Sequence, residues 1–218
     1  LVIGGGAGGA TVAHHISKKS NGAIDVTLVE ASRRHYPCFY SNLYLGGFRS
    51  YASIGHDYSS LAVKHDINII YEWAISVDTS RRLVKLGSGA SRPYDRLILS
   101  PGVDFKYESI PGYSPDVQSR MPHAWRSGTQ TQLLKSQVLN MKTGGTFIMV
   151  PPTTPYSCPP APYERVSMVA HLLKDNNPSA KIIILDPKPY FAKQGLFMDG
   201  WEHHYPGVIE WIDPEMHG

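Results

Sequence analysis

Apolar and polar positions along this chain fall into one layout that occurs twice. The opening "LVI" is a short apolar run, "GGGAGG" follows it, and residues 10–19 carry a helical pattern before "IDVTLVE", a second buried strand. Strand, glycine loop, helix, strand is the plan of half a Rossmann unit. "DINIIYEWAISVD" and "RRLVKLG" have strand patterns with a turn near "TSRR", and "YDRLILSPGV" is a further buried strand ending in a Pro-Gly turn. Leu133, Leu134, Val138 and Met141 recur at helical spacing and predict a helix over residues 130–141. "GTFIMV", a proline-rich loop, a helix over about residues 163–174 and "KIIILD" then repeat the plan. The Pro-rich stretch 111–125 is a candidate linker, and the tail after residue 203 holds one short strand signal. These patterns predict an α/β chain of two Rossmann-type units, the first over residues 1–112 and the second over 113–218.

Composition narrows the function. The chain has 218 residues, 42% hydrophobic and 18% charged, which is a soluble, globular balance. A net charge of +3 is too small to argue for nucleic acid or an anionic membrane surface. No apolar run approaches the roughly 20 residues a membrane helix needs, so no membrane span is expected. Two distant cysteines cannot form a disulfide scaffold. C-x-x-C-H is absent, so no c-type haem is expected on this chain, and without C-x-x-C or H-E-x-x-H no metal site is predicted. The chain opens directly on a strand pattern, and we expect a segment ahead of it.

The first loop carries the clearest chemistry. Gly4, Gly6 and Gly9 fit G-x-G-x-x-G after a strand and at the mouth of a helix. The first glycine permits the turn, the second lets a pyrophosphate approach the backbone, and the third lets helix and strand pack closely. Glu30 ends the second strand where an acid takes ribose hydroxyls, which makes a 2′-phosphate the least favoured ligand. Past that acid lies Cys38, within "ASRRHYPCFYSN". It is either a small buried hydrophobe or a thiol in a loop that runs toward a flavin ring.

The second loop is built differently. A phosphate cradle points backbone N–H groups at oxygens, and proline has none. After Val150 come Pro151, Pro152, Pro155, Pro159, Pro160 and Pro162, which predicts a Rossmann-type unit that no longer binds a nucleotide. Asp186, at the end of its second strand, becomes a relic or a turn residue. The stiffened loop suits holding Cys158 in place, or serves stability alone with an inert thiol. Glu164 either answers the helix dipole or handles a proton near Cys158.

"VIGGGAGGAT", "YPCFYSN", "YDRLILSPG", "PHAWRSGTQT" and above all "CPPAPYER" resemble the flavoprotein subunit of flavocytochrome c sulfide dehydrogenase. The resemblance spans nearly the whole chain. It implies the two-dinucleotide-binding, glutathione reductase-like flavoprotein fold, incomplete here. It implies a periplasmic enzyme that oxidises sulfide and forms a heterodimer with a c-type cytochrome subunit, which alone carries haem c. It implies FAD joined through its 8α-methyl group to Cys38, a redox disulfide at Cys158, and an active-site role for Glu164. In that family the partner cysteine lies in a C-terminal half beyond these residues. Two alternatives remain open: a sulfide:quinone oxidoreductase, which would call for a membrane-binding segment, and a non-catalytic FAD-binding module, which would need no reactive cysteine.

Overall fold

The computed structural model describes residues 1–123 and 125–217. In chain order the elements are β1 (Val2–Ile3), α1 (Ala7–Ser20), β2 (Thr27–Val29), β3 (Arg34–His35), α2 (Cys38–Leu45), β4 (His56–Asp57), α3 (Ser59–His65), β5 (Asn68–Ile70), β6 (Ala74–Asp78), β7 (Leu83–Leu86), β8 (Ser91–Pro93) and β9 (Ile98–Leu99). Then follow α4 (Thr129–Leu139), β10 (Thr146–Met149), α5 (Ala161–Asn176), β11 (Lys181–Leu185), α6 (Gln194–His204), β12 (Ile209–Ile212) and α7 (Pro214–His217). The candidate linker 111–125 includes Ala124, which lies outside the described residues. The rest of it is largely turn, with one 3-10 turn over Val117–Ser119.

Contacts divide the chain into two compact units. One comprises Leu1–His35 with Gly55–Phe105, the other Tyr36–Ile54 with Lys106–Gly218. The segment Tyr36–Ile54 thus packs with elements that follow it by about a hundred residues, and the main change of unit comes at Phe105.

The first unit holds a parallel sheet in the order β5-β2-β1-β9, with Val2 opposite Leu28 and Ile98, and Leu28 opposite Ile69. Val2, Leu28, Ala13 and Ile67 are buried against α1 and α3, which is the layered packing a βαβ unit requires. An antiparallel sheet β6-β7-β8 sits over Val29, with Val84 and Leu86 buried. The strand expected at "YDRLILSPGV" is short, and Leu99, in the last strand of the sheet order, is exposed.

The second unit has its own parallel sheet, β10-β11-β12, with Ile182 and Ile184 fully buried. Its core is the apolar face of α5: Val166, Val169, Ala170 and Leu173, spaced three and four apart. Leu134 and Val138 of α4, and Leu45 at the end of α2, join that cluster. The helix expected over 163–174 starts two residues earlier, with Pro162 in its first turn, where a missing N–H costs nothing.

Candidate active site

The glycine loop runs from β1 into α1. Gly4 has φ +95°, a conformation a side chain rarely adopts, and a Cβ there would overlap the Ser100 carbonyl. A Cβ on Gly9 would overlap the Gly4 carbonyl, so packing alone explains both residues. Gly6 is different. A Cβ on Gly6 would meet only His35 Cε1, at 3.9 Å, so nothing in the protein demands glycine there. The space beside Gly6 matches the place where a pyrophosphate comes close to the backbone. The N-terminus of α1 has no side-chain cap and no acid in its first turn, which leaves its N–H groups for an anion. A cleft of about 320 Å³ opens beside this loop, lined by Gly5, Gly6, Ala10, His35, His56 and Tyr58 among others. Glu30 accepts hydrogen bonds from Gly5 N (2.6 Å) and Ser32 N (2.8 Å). The carboxylate is thereby fixed at the loop, and lone pairs remain for ribose hydroxyls. The residues present fit the diphosphate and ribose of a dinucleotide. His35, His56 and Tyr58 were invisible as cleft residues in the sequence, because only the β3–β4 pairing and α3 bring them there.

The second cluster lies wholly within the second unit. Cys38 opens a helix, where the sequence suggested a loop. "CFYSNLYL" has no strong helix signature, and packing of α2 against α4 and α5 decides its conformation. Helical spacing then places Cys38, Ser41 and Asn42 on one face. Asn42 Nδ2 donates to Glu164 Oε2 at 3.2 Å, and Arg165 donates to Ser41 Oγ at 2.8 Å. Ser41 Oγ donates in turn to the Cys38 carbonyl. Glu164, in the first turn of α5, therefore has the favourable dipole position and also a specific partner.

Cys158 sits in the loop before α5 with φ +56°, a left-handed conformation that costs a non-glycine residue about 1–3 kcal/mol. The Ala161 N–H donates to its carbonyl at 3.0 Å, and Tyr156 Oη donates to the Pro159 carbonyl at 2.8 Å. These bonds, with the prolines, over-determine the turn. Both thiols are free and exposed. Partial burial pushes the Cys158 thiol up, and the charges of Glu164 and Cys38 add to that push. Cys38, Cys158 and Glu164 therefore lie within Coulombic reach of one another, although 120 residues separate the two cysteines. Arg165 is buried, with burial pulling it down to about 10, while Cys38 and Glu164 push it back up.

Asp186 turns out to be a buried ion-pair partner. It is fully buried and accepts from Tyr163 Oη (2.5 Å) and Trp211 Nε1 (3.0 Å). Lys188 Nζ lies 2.6 Å from its other oxygen and also donates to the Pro152 carbonyl at 3.0 Å. That ammonium bridges from the acid at the end of β11 to the proline loop, across the space a ribose and pyrophosphate take in a nucleotide-binding unit. Among the described residues no cluster of His, Cys, Asp or Glu could hold a metal ion.

A glycine loop with its acid in one unit, and two thiols beside a carboxylate in another, define a class of redox protein. Residues 1–143 match the pyridine nucleotide-disulphide oxidoreductase family, and the chain belongs to it. Residues 131–218, including the Cys-Pro-Pro stretch, match the central region of the sulfide dehydrogenase (flavocytochrome c) flavoprotein chain, as the resemblance implied. Mitochondrial sulfide:quinone oxidoreductases from Mus musculus and Dictyostelium discoideum are 28% and 24% identical to the chain over 74% of its length. The chain spans 35% and 36% of those relatives. Among solved structures, the sulfide:quinone oxidoreductase of Aquifex aeolicus matches 97% of this chain and 50% of its own with a TM-score of 0.74 at 23% identity. An NAD-dependent persulfide reductase from A. fulgidus matches 97% of this chain and 39% of its own, with a TM-score of 0.73 at 17% identity. The two-unit glutathione reductase-like fold is thereby established for this chain.

Proposed function

We propose that these residues form the FAD-binding part of a flavoprotein that oxidises sulfide and passes the electrons to a c-type cytochrome subunit. The observation that carries this is the grouping of Cys38, Cys158 and Glu164 within the second unit: Asn42, one helical turn on from Cys38, donates to Glu164, and Cys158 feels the charges of both. In the proposal Gly4, Gly6 and Gly9 would hold the diphosphate of FAD and Glu30 a ribose, and Cys38 would be the residue to which the flavin is attached. When bound, the flavin accepts two electrons and releases them singly.

The chain's residues do the rest. Cys158 is half of a redox disulfide whose other cysteine lies outside these residues. Hydrosulfide attacks that S–S bond: one sulfur becomes a persulfide and the other leaves as a thiolate. Re-forming the S–S bond with release of zero-valent sulfur takes two electrons from the thiolate and persulfide pair, which the bound flavin would accept, so that overall HS⁻ gives S⁰, one proton and two electrons. Glu164, held through Oε2 by Asn42, takes up that proton at its second oxygen, Oε1. The match of residues 131–218 to the flavocytochrome c chain supports the cytochrome as acceptor; a heterodimer in the periplasm is part of the same proposal.

Cys158→Ser in the full-length protein tests the reading. Sulfide-dependent cytochrome reduction should vanish while bound flavin stays. Turnover equal to the unsubstituted protein would make Cys158 structural. A second reading, transfer to a membrane quinone, draws on the sulfide:quinone oxidoreductases among the relatives.

A further inference from the structure

We propose that Arg165 is the positioning residue for Cys38, acting through the Ser41 hydroxyl. The inference rests on the reading of Cys38 as the attachment point for the flavin. Arg165 is 4% exposed and Ser41 is fully buried. Burying a guanidinium costs several kcal/mol before its partners repay it, so stability is a poor reason to keep one. The partners identify another reason. One arm reaches Ser41 Oγ at 2.8 Å, and the same hydroxyl donates to the carbonyl of Cys38. A fixed chain of atoms thus runs from α5 to the backbone of Cys38.

That chain supplies what α2 lacks locally. Cys38 is the first residue of its helix, Pro37 precedes it, and no side chain caps that end. A helix terminus without a cap frays. A thiol that must meet one carbon of a ring needs its Cα held to a fraction of an ångström. Arg165 suits the task better than lysine would, because its planar fork keeps direction while its charge faces both Cys38 and Glu164. Since Glu164 is the preceding residue on α5 and is held by Asn42, one turn of α5 aligns the attachment thiol and the proton acceptor together.

The experiment compares Arg165→Met, Arg165→Lys, Ser41→Ala and Ser41→Thr in the full-length protein. Total bound flavin is measured before acid precipitation, and protein-attached flavin after it. Arg165→Met and Ser41→Ala should keep total flavin within about twofold and lose about tenfold or more of the attached fraction. Ser41→Thr should restore attachment, and Arg165→Lys should recover only part of it. Hydrogen exchange of the Cys38–Leu45 peptide in flavin-free protein should speed up in Arg165→Met and Ser41→Ala, with the 161–176 peptide unchanged. Unchanged exchange over Cys38–Leu45 overturns the inference. So does equal loss of total and attached flavin without rescue by threonine, since that marks a general packing role. If Arg165→Met does not fold, Ser41→Ala decides alone. If the unsubstituted protein releases all its flavin in acid, the attachment reading fails, and the exchange result still judges Arg165.

Discussion

At Cys158 partial burial and the neighbouring charges work against an easily ionised thiol. Partial burial, the Glu164 carboxylate and Cys38 all favour the protonated form, so the thiol holds its proton to higher pH than usual. In reduced protein, alkylation of Cys158 by iodoacetamide should therefore rise with a midpoint above the ordinary thiol value of about 8.5. Glu164→Gln removes a negative charge that opposes the thiolate, so the midpoint should fall. A midpoint unmoved by that substitution would remove Glu164 from the neighbourhood of the sulfur. The sequence made Cys38, Cys158 and Glu164 legible because cysteines are few and the Cys-Pro-Pro stretch is distinctive. Arg165, Ser41 and Asn42 were not legible. Their roles depend on a packing of α2 against α5 that no local pattern encodes, although spacings of three and four from Cys38 would have exposed the last two had the segment been read as a helix.

Among the elements, the two strand–loop–helix–strand units were plain from periodicity, since buried parallel strands leave continuous apolar runs. α6 and the short helices α2 and α3 were not plain, because their stability comes from tertiary contacts rather than propensity. The second unit's loop has consequences beyond its missing N–H groups. Lys188 ties Asp186 to Pro152, so a nucleotide entering there would have to displace a buried ion pair. Mixing the full-length protein with excess NADH should leave its flavin oxidised over the time sulfide takes to reduce it. Rapid, saturable reduction by NADH would refute this account of the loop. The pair also holds the unit together. Lys188→Met leaves the Asp186 charge buried beside Tyr163 and Trp211, and should cost about 3–5 kcal/mol in denaturant unfolding. A loss below about 1 kcal/mol would show that water reaches the carboxylate.

For the whole molecule, the two candidate acceptors make different demands. None of the described residues forms a helix long and apolar enough to cross a membrane. With sulfide as donor, the full-length protein should reduce a c-type cytochrome and bind it stably, and a water-soluble quinone should be the poorer acceptor. Quinone reduction at the higher rate, with partitioning to lipid vesicles, would establish the second reading. The sequence foretold two units but not their interleaving, because chain order says nothing about which unit a short helix joins. Tyr36–Ile54 belongs with elements that start at Lys106. Asn42 and Glu164 are 122 positions apart, and Ser41 and Arg165 are 124 apart. A ribosome adding about 5–20 residues per second needs on the order of ten seconds to cover that gap. Through that interval Cys38 has already emerged while its supports do not yet exist. Maturation of the protein thus has a built-in order, with the thiol made early and set in place late. Nascent chains stalled ahead of α5 should carry no acid-stable flavin, however much of the cofactor surrounds them.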